Sequence, residues 1–260
     1  MKPFLLGTNW KMNKTTAEGL KYTNALIDVI KKHPAFSFFI IPPYVQLWQQ
    51  REAIDIKHSP LKLGAQNVHY EDFGQFTGEI SPVQLKEIGI DILEIGHSER
   101  RQYFNETDYT VNQKVLAGLR HEFTTLICIG DSMQEKTYDV SAEVLARQLK
   151  IALHGVKTED LDHIWVAYEP YWAIGVEGIP AEPPVVDKLH TYLRSVLIDL
   201  YGEKGQTVPL LFGGSVNINN AVPYAKCQDV DGLFIGRSAW RSDTFEAIMI
   251  ALEEAGIPQR

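Results

Sequence analysis

The sequence predicts an α/β fold, a closed (β/α)8 barrel formed by a single domain over residues 1–260. Eight short apolar runs recur at roughly regular intervals, amphipathic segments lie between them, and no linker or low-complexity tract interrupts the alternation. Alternating β and α segments form a parallel sheet with right-handed crossovers. Eight such units without a break favour a closed barrel over an open sheet.

Each predicted strand is nearly continuous in apolar residues, as expected of a parallel strand that is covered on both faces. In chain order the runs are FLLGTNW (4–10), FSFFIIPP (36–43), KLGAQNV (62–68), ILEIGHSE (92–99), TTLICIGD (124–131), IWVAYEP (164–170), VPLLFGGS (208–215) and DGLFIGRS (231–238). Helical spacing is clear in TAEGLKYTNALIDVIKKH and SAEVLARQLKIALHGV. No G-x-G-x-x-G follows the first run, which weakens the alternative of a dinucleotide-binding sheet.

Composition excludes several classes of function. A net charge of −8 argues against a broad nucleic-acid or anionic-membrane surface, although a local site can still bind a small anion. No apolar run has membrane-spanning length, and the N-terminal run is too short for a secretory signal. Two distant cysteines argue against a disulfide framework, so a cytoplasmic location is expected. No set of metal ligands is evident, and neither a metal nor a cofactor is expected.

Polar residues cluster where the predicted strands end. Because all strands of a parallel barrel end at one rim, residues far apart in sequence meet there in one pocket. The cluster comprises Asn9, Lys11, Gln66, Asn67, His97, Ser98, Glu99, Glu169, Ser215 and Arg237. Any one of these alone is more often structural or solvated; their shared position indicates a site.

The rim offers a Lys, a His, a Glu and short Gly turns. A Lys supplies fixed positive charge, a Glu can remove a proton from carbon, and a His can donate a hydrogen bond to a carbonyl oxygen. The turns FGGS (212–215) and IGRS (235–238) follow strands seven and eight, where barrels frequently bind phosphate. This inventory indicates proton transfer beside the carbonyl of a phosphorylated sugar.

Motifs spread over nearly the whole chain resemble, in order, those of the triosephosphate isomerase family, which has the TIM-barrel fold. They are NWKMN (9–13), AQN (65–67), FTGEIS (76–81), GHSERR (96–101), AYEPYWAIG (167–175) and GGSV (213–216). The resemblance implies that Glu169 is the base that moves a proton between C1 and C2, and that His97 is the neutral electrophile. It implies that Lys11 is the electrostatic anchor, with Asn9 at the same substrate oxygens.

The resemblance also assigns supporting residues. Residues 170–181 would form a lid over the phosphate, to which Gly175, Ser215 and Gly236 would donate. Glu99 would pair with Lys11, and Ser98 would lie beside the base in the open state. The loop at residues 68–81, with Thr77 at its tip, would insert into a neighbouring subunit and form a homodimer.

Three departures from the family pattern concern the lid and the phosphate site. The lid AIGVEGIPAEP (173–183) is one residue longer than usual, with Glu177 placed as the insertion. Phe212 replaces the usual Tyr and so lacks its hydroxyl group. Arg237 follows Gly236 where a second glycine is usual; its guanidinium could bind phosphate, or it could point to solvent or to Glu177.

These departures leave three functions open. We favour, narrowly, the branch that acts on four-carbon sugar phosphates, with the pair L-erythrulose 1-phosphate and D-erythrose 4-phosphate. The alternative is the ordinary reaction of dihydroxyacetone phosphate and glyceraldehyde 3-phosphate. A third possibility, a barrel that binds sugar phosphates without turning them over, has no need of a carbon base such as Glu169.

Overall fold

The computed structural model describes residues 3–175 and 178–258. Eight parallel strands form a closed barrel in sequence order, with β1 hydrogen-bonded to both β2 and β8. The strands are β1 Phe4–Asn9, β2 Phe36–Ile41, β3 Lys62–Ala65, β4 Ile92–Ile95, β5 Thr124–Ile129, β6 Ile164–Tyr168, β7 Leu210–Gly214 and β8 Gly232–Ile235. The predicted fold, a TIM barrel, is confirmed.

Helices surround the barrel. They are α1 Thr16–Ile30, α2 Leu47–Ile56, α3 Pro82–Ile88, α4 Ser98–Tyr103, α5 Asp108–Arg120, α6 Met133–Thr137, α7 Ser141–Ala152, α8 Pro183–Tyr201, α9 Ala221–Ala225 and α10 Ser242–Glu254. Local sequence fixes where several begin. At α1, for example, the Thr15 side chain accepts from the backbone N–H of Glu18, and the Glu18 carboxylate accepts from the backbone N–H of Thr15.

The predicted apolar runs extend beyond the strands at their C-terminal ends. The run at 92–99, for example, contains a strand only as far as Ile95, and the next helix already begins at Ser98. The reason is physical: the polar residues at the end of each run leave strand pairing and turn onto the rim. The runs therefore predict strand starts better than strand ends.

The strands divide their side chains between two cores. Residues such as Phe39, Trp165 and Phe234 fill the barrel interior, whereas the outward side chains pack against the helices. Gly7 leaves room for the Phe39 ring, which a side chain at position 7 would overlap. Among the described residues, none of the helices combines the length and apolarity needed to cross a bilayer.

Candidate active site

The barrel places the strand-end residues around one opening. Asn9 ends β1, His97 lies two residues beyond β4, and Glu169 directly follows β6. Together with Lys11 and Gly236 they line an inner hollow of about 30 Å³. An adjoining outer cavity of about 490 Å³ is lined by the turns after β7 and β8 and by the lid at Ile174 and Gly175.

The Glu169 carboxyl group is buried beside the inner hollow. Its backbone N–H donates to the Ile129 carbonyl at 2.8 Å, which fixes the residue at the end of β6. Burial raises its pKa from 4.5 to about 7, although Lys11 and the Cys128 thiol favour the ionised form. Oε2 has no hydrogen-bond partner among the described residues. A buried carboxylate with one unsatisfied oxygen is prepared to accept a proton.

Two glycines make the space around this carboxylate. A Cβ on Gly130 would overlap the carbonyl oxygen of Glu169. A Cβ on Gly213 in β7 would lie 2.9 Å from the Glu169 Cγ. The Glu169 carboxyl group can therefore occupy this position only because residues 130 and 213 are glycines, which have no side chain.

His97 faces Glu169 across the hollow, with 3.8 Å between Nε2 and Oε1. Its Nδ1 accepts from the Glu99 backbone N–H at 3.2 Å at the start of α4. A neutral ring that accepts at Nδ1 carries its proton on Nε2, which points toward Glu169. Burial, helped by the positive charges of Lys11 and Arg100, lowers the His97 pKa to about 3. The imidazole is therefore a neutral hydrogen-bond donor at any physiological pH.

Lys11 approaches from the turn after β1. Its backbone has a φ of 53°, in the left-handed region, and its N–H donates to the Asn9 Oδ1 at 2.6 Å. Its ammonium group donates to Glu99 at 2.7 Å and stays half-buried. The Asn9 Oδ1 also accepts from Gln66 at 3.1 Å, and the Asn9 Nδ2 donates to Glu94 at 2.7 Å. Every orientation in this network is set by hydrogen bonds.

The outer cavity contains the residues expected at the phosphate. Gly175, Ser215, Gly236 and Arg237 all line it. The Ser215 hydroxyl donates to the Ala173 carbonyl at 2.8 Å, and the Arg237 Nη2 donates to the Gly175 carbonyl at 2.7 Å. The turns after β7 and β8 thus both contact the lid. The Arg237 side chain is otherwise exposed, with donors left over for a ligand.

The two ends of the lid are held by residues that the sequence did not single out. At the N-terminal end, the buried Asp131 carboxylate accepts from Trp172 at 3.2 Å and from Tyr168 at 2.9 Å. At the C-terminal end, the Tyr224 hydroxyl donates to the Ala181 carbonyl at 2.6 Å. A Tyr at position 224 gave no sequence signal, because its partner lies on a distant segment of the chain.

Phe212 is fully buried, with its ring centroid 4.4 Å from that of Tyr224. It is part of the packing beneath the lid and carries no hydroxyl group to reach it. Glu177, placed from sequence as the extra lid residue, lies outside the described residues. Ser98 is buried at the start of α4, and within 3–175 and 178–258 no hydrogen bond joins it to Glu169.

The loop at residues 68–81 projects from the rim. The backbone N–H of His69 donates to the Ile80 carbonyl at 2.8 Å and closes the base of the loop. Phe73 is 79% exposed, Phe76 is 43% exposed, and Thr77 is also exposed. The loop therefore exposes two aromatic side chains, Phe73 and Phe76, to solvent.

Glu94 is the most unexpected residue near the site. It lies in β4, fully buried, with its carboxyl group below Asn9 in the otherwise apolar barrel interior. The available signal was a charged residue inside an apolar strand, ILEI, which sequence reasoning did not use.

Comparison with known proteins gives a consistent result. The family model described as triosephosphate isomerase matches residues 4–252. The chain is 43% identical to the L-erythrulose-1-phosphate isomerase of Rhizobium etli over 252 residues, which are 96% of this chain and 92% of that protein. It is 41% identical to the enzyme of the same name from Rhizobium rhizogenes over 248 residues, 95% of this chain and 93% of that protein.

A relative named triosephosphate isomerase is almost as similar to this chain. The triosephosphate isomerase of Caldanaerobacter subterraneus subsp. tengcongensis is 40% identical over 249 residues, 95% of this chain and 98% of that protein. The resemblance inferred from the motifs is thereby confirmed. The closed barrel, the family match over most of the chain and these relatives show that the protein belongs to the triosephosphate isomerase family and is a sugar-phosphate isomerase.

Proposed function

We propose that this isomerase moves a proton between adjacent carbons of a small sugar phosphate through an enediolate, with Glu169 as the base. One observation carries the proposal: the Glu169 carboxyl group is buried at the inner hollow, its Oε2 has no partner within the described part of the chain, and its pKa is about 7. A base with such a pKa is ionised in about half of the molecules at neutral pH and still basic enough to take a proton from carbon.

Other groups stabilise the charge that then develops on oxygen. The Nε2–H of His97 lies opposite the base and donates to the substrate carbonyl oxygen. The Lys11 ammonium group supplies positive charge from the rim, and the second N–H of the Asn9 amide is left for the same oxygens. Glu169 returns the proton to the neighbouring carbon, and in this proposal the His97 Nε2 gives its proton to the former carbonyl oxygen and takes the proton of the neighbouring hydroxyl group. The reaction is therefore an internal redox exchange with no net change in protons.

The phosphate group occupies the outer cavity in this proposal. The phosphate contacts Ser215 and the backbone N–H groups of Gly175 and Gly236. Arg237 adds a charged donor to the phosphate. Arg237 reaches both the cavity and the lid carbonyl at Gly175, so phosphate binding and lid position are coupled through one side chain.

We favour a four-carbon substrate, L-erythrulose 1-phosphate. The names of two relatives at 43% and 41% identity support this choice, as do Arg237 and the longer lid. The position of the phosphate ester changes the product that was expected from the sequence, D-erythrose 4-phosphate. The phosphate ester blocks C1 of this ketose, so the enediolate forms between C2 and C3 and the product is a second ketose, erythrulose 4-phosphate. D-Erythrose 4-phosphate would need another carbonyl shift.

The second candidate is the interconversion of dihydroxyacetone phosphate and glyceraldehyde 3-phosphate. The relative named triosephosphate isomerase is 40% identical, close to the other two. The groups around the reacting carbons serve both reactions equally, because each needs one base, one neutral donor and one cation. The two substrates differ by one hydroxymethyl group on a reacting carbon.

One experiment decides between the two substrates. Each ketose phosphate is incubated with enzyme in D₂O, and proton NMR follows the exchange of deuterium into the carbon beside the carbonyl, without coupling enzymes. Faster exchange and conversion of L-erythrulose 1-phosphate supports the proposal. Turnover of the triose alone supports the second candidate. Binding of both without exchange would show a barrel that binds sugar phosphates and lacks catalysis.

We also propose that the protein is a homodimer. The loop at residues 68–81 presents Phe73 and Phe76, and the turn after β1 presents Met12, which is 95% exposed. One strand, β2, separates β1 from β3, so the segments that follow β1 and β3 leave the same part of the barrel rim, and we propose that one second copy covers both. A second copy in this position would lie next to Lys11, which lines the inner hollow.

A further inference from the structure

We propose that Glu94 is a positioning residue of the isomerase site: its carboxyl group fixes the orientation of the Asn9 amide and, through it, the backbone of Lys11. This inference rests on the proposed function, since it concerns the groups that would contact the substrate oxygens. Glu94 does not line either cavity and therefore acts through its neighbours.

The surroundings of Glu94 give no packing reason for a carboxyl group. Its side chain points into the barrel interior, where the interior residues include Ile92 of the same strand, Leu126 of the neighbouring β5 and Trp165 of β6. A buried polar group costs free energy unless hydrogen bonds compensate. The compensating bond is the one from the Asn9 Nδ2, at 2.7 Å, and the Cys128 Sγ lies 3.9 Å from the other oxygen.

The Asn9 amide has two orientations, which place either its oxygen or its nitrogen toward the barrel floor. On the rim side it meets two donors, the Lys11 backbone N–H at 2.6 Å and the Gln66 Nε2 at 3.1 Å. Its oxygen must face them, so its nitrogen must face inward. Glu94 is the acceptor that meets the nitrogen there. Without that acceptor, the nitrogen would be buried unpaired and the side chain would rotate toward the pocket.

Rotation of the Asn9 side chain would break its hydrogen bond to the Lys11 backbone. The left-handed backbone of Lys11, with a φ of 53°, is disfavoured for a residue other than glycine and is held by the hydrogen bond to the Asn9 Oδ1. Losing that bond would move the ammonium group relative to the substrate. Glu94 thus fixes two of the groups proposed to act on the substrate oxygens.

Glu94 performs this function as a neutral acid. Burial, and then the charge of Glu169, raise its pKa well above the usual range. A neutral carboxyl group still accepts from Asn9 and adds no negative charge beneath the base. The titratable groups that face Glu94 from the surrounding elements are Lys11 after β1, Tyr44 after β2, Glu99 in α4, Cys128 in β5 and Glu169 after β6.

The test compares three variants. Glu94→Met keeps the length of the side chain and removes the acceptor; we expect kcat to fall about ten- to hundredfold and KM to rise, because a displacement near 1 Å at the reacting groups has effects of this size. Glu94→Gln restores an acceptor and should rescue most of the lost activity. Ile92→Val, on the same inward face of β4, should lower the melting temperature with little change in kcat.

Two further measurements separate positioning from other effects. The acid limb of kcat/KM should stay in place in Glu94→Gln; a fall of about one pH unit or more would show that Glu94 acts as a charge on Glu169 and would overturn the inference. NMR of the Asn9 side-chain amide needs no activity: one proton should be shifted downfield and exchange slowly in the parent and lose both properties in Glu94→Met.

The outcomes are distinguishable from failure of the proposed function. A parent that exchanges no substrate deuterium refutes the function, and the Asn9 amide signals still decide whether Glu94 orients that side chain. An active parent whose Glu94→Met variant matches Ile92→Val in kcat and KM, or whose Asn9 amide signals do not change, overturns the inference alone.

Discussion

The Arg237 guanidinium donates to the carbonyl oxygen of Gly175 at 2.7 Å and so joins the turn after β8 to the lid. The carbonyl of a lid residue and a phosphate oxygen can accept from the same guanidinium, because its donors point in several directions. In this chain, Phe212 provides no hydroxyl group for the lid, whereas Arg237 provides a hydrogen bond from the barrel rim to Gly175.

The first prediction concerns Arg237. Arg237→Gly should weaken inhibition by sulfate by about 1.5–3 kcal/mol, the usual contribution of a hydrogen bond to a charged group. Arg237→Lys should recover part of this, because the charge returns without the planar geometry. Inhibition constants for sulfate at fixed ionic strength measure the effect. An unchanged constant in Arg237→Gly would mean that Arg237 contacts only the lid.

The second prediction concerns the pH dependence of activity. Since Glu169 must be ionised to act and has a pKa of about 7, kcat/KM should rise with pH and level off above that value. His97, with a pKa of about 3, should add no ionisation near pH 6.5 to the pH profile of kcat/KM. His97→Gln should lower kcat by about 10²–10³ and keep the acid limb. Loss of the limb in this variant would assign it to His97 instead.

The third prediction concerns stability. Between pH 4.5 and 7 the carboxyl group of Glu169 is ionised in the unfolded chain and protonated in the folded one, so folding stability falls as pH rises. Glu169→Gln removes this loss. Its free energy of unfolding should exceed that of the parent by up to about 3 kcal/mol at pH 8, with the difference vanishing near pH 4. Urea titrations at both pH values measure it. Equal stability at pH 8 would contradict the raised pKa.

The fourth prediction concerns the lid. Tyr224→Phe removes the hydrogen bond to the Ala181 carbonyl and should destabilise the lid end by about 0.5–1.5 kcal/mol. Hydrogen exchange at residues 178–181 should accelerate. Tyr201→Phe is the matched control, because its hydroxyl donates to the Leu153 carbonyl, away from the lid. Equal exchange at 178–181 in both variants would remove Tyr224 as a lid contact.

The fifth prediction concerns the homodimer. Replacing Phe73 and Phe76 together by Asp should convert a dimer to a monomer with much lower activity, because charge would be placed on the proposed interface. Leu200→Asp, which changes an exposed apolar residue on α8, serves as control. Light scattering with parallel activity measurements tests this. A parent that is fully active as a monomer would refute the dimer.

The sequence predicted the barrel and the approximate position of the site because both follow from the order of strands and helices along the chain. A parallel barrel brings strand ends to one rim, so Asn9, His97 and Glu169 could be placed together without coordinates. Glu94 could not be placed. Its charge within ILEI marks it as unusual, but because the flanking strand residues are all apolar, the pattern does not show whether Glu94 faces the interior or the helices; only the three-dimensional register does.

Contacts between distant turns also could not be predicted from the sequence. Arg237 and Gly175 are 62 positions apart, and Tyr224 and Ala181 are 43 apart. Which carbonyl a long side chain reaches depends on how the turns after β6, β7 and β8 pack. The sequence therefore predicted the residue types on the rim better than their partners.

The two glycines around Glu169 restrict how this protein can be altered. Any side chain at position 130 would displace the backbone at Glu169, and one at position 213 would press on its Cγ. Random mutagenesis should therefore yield almost no active clones with changes at either position. Libraries intended to change substrate preference should instead vary residues that line the outer cavity, such as Val216, Asn217 and Ser238, where the base is not disturbed.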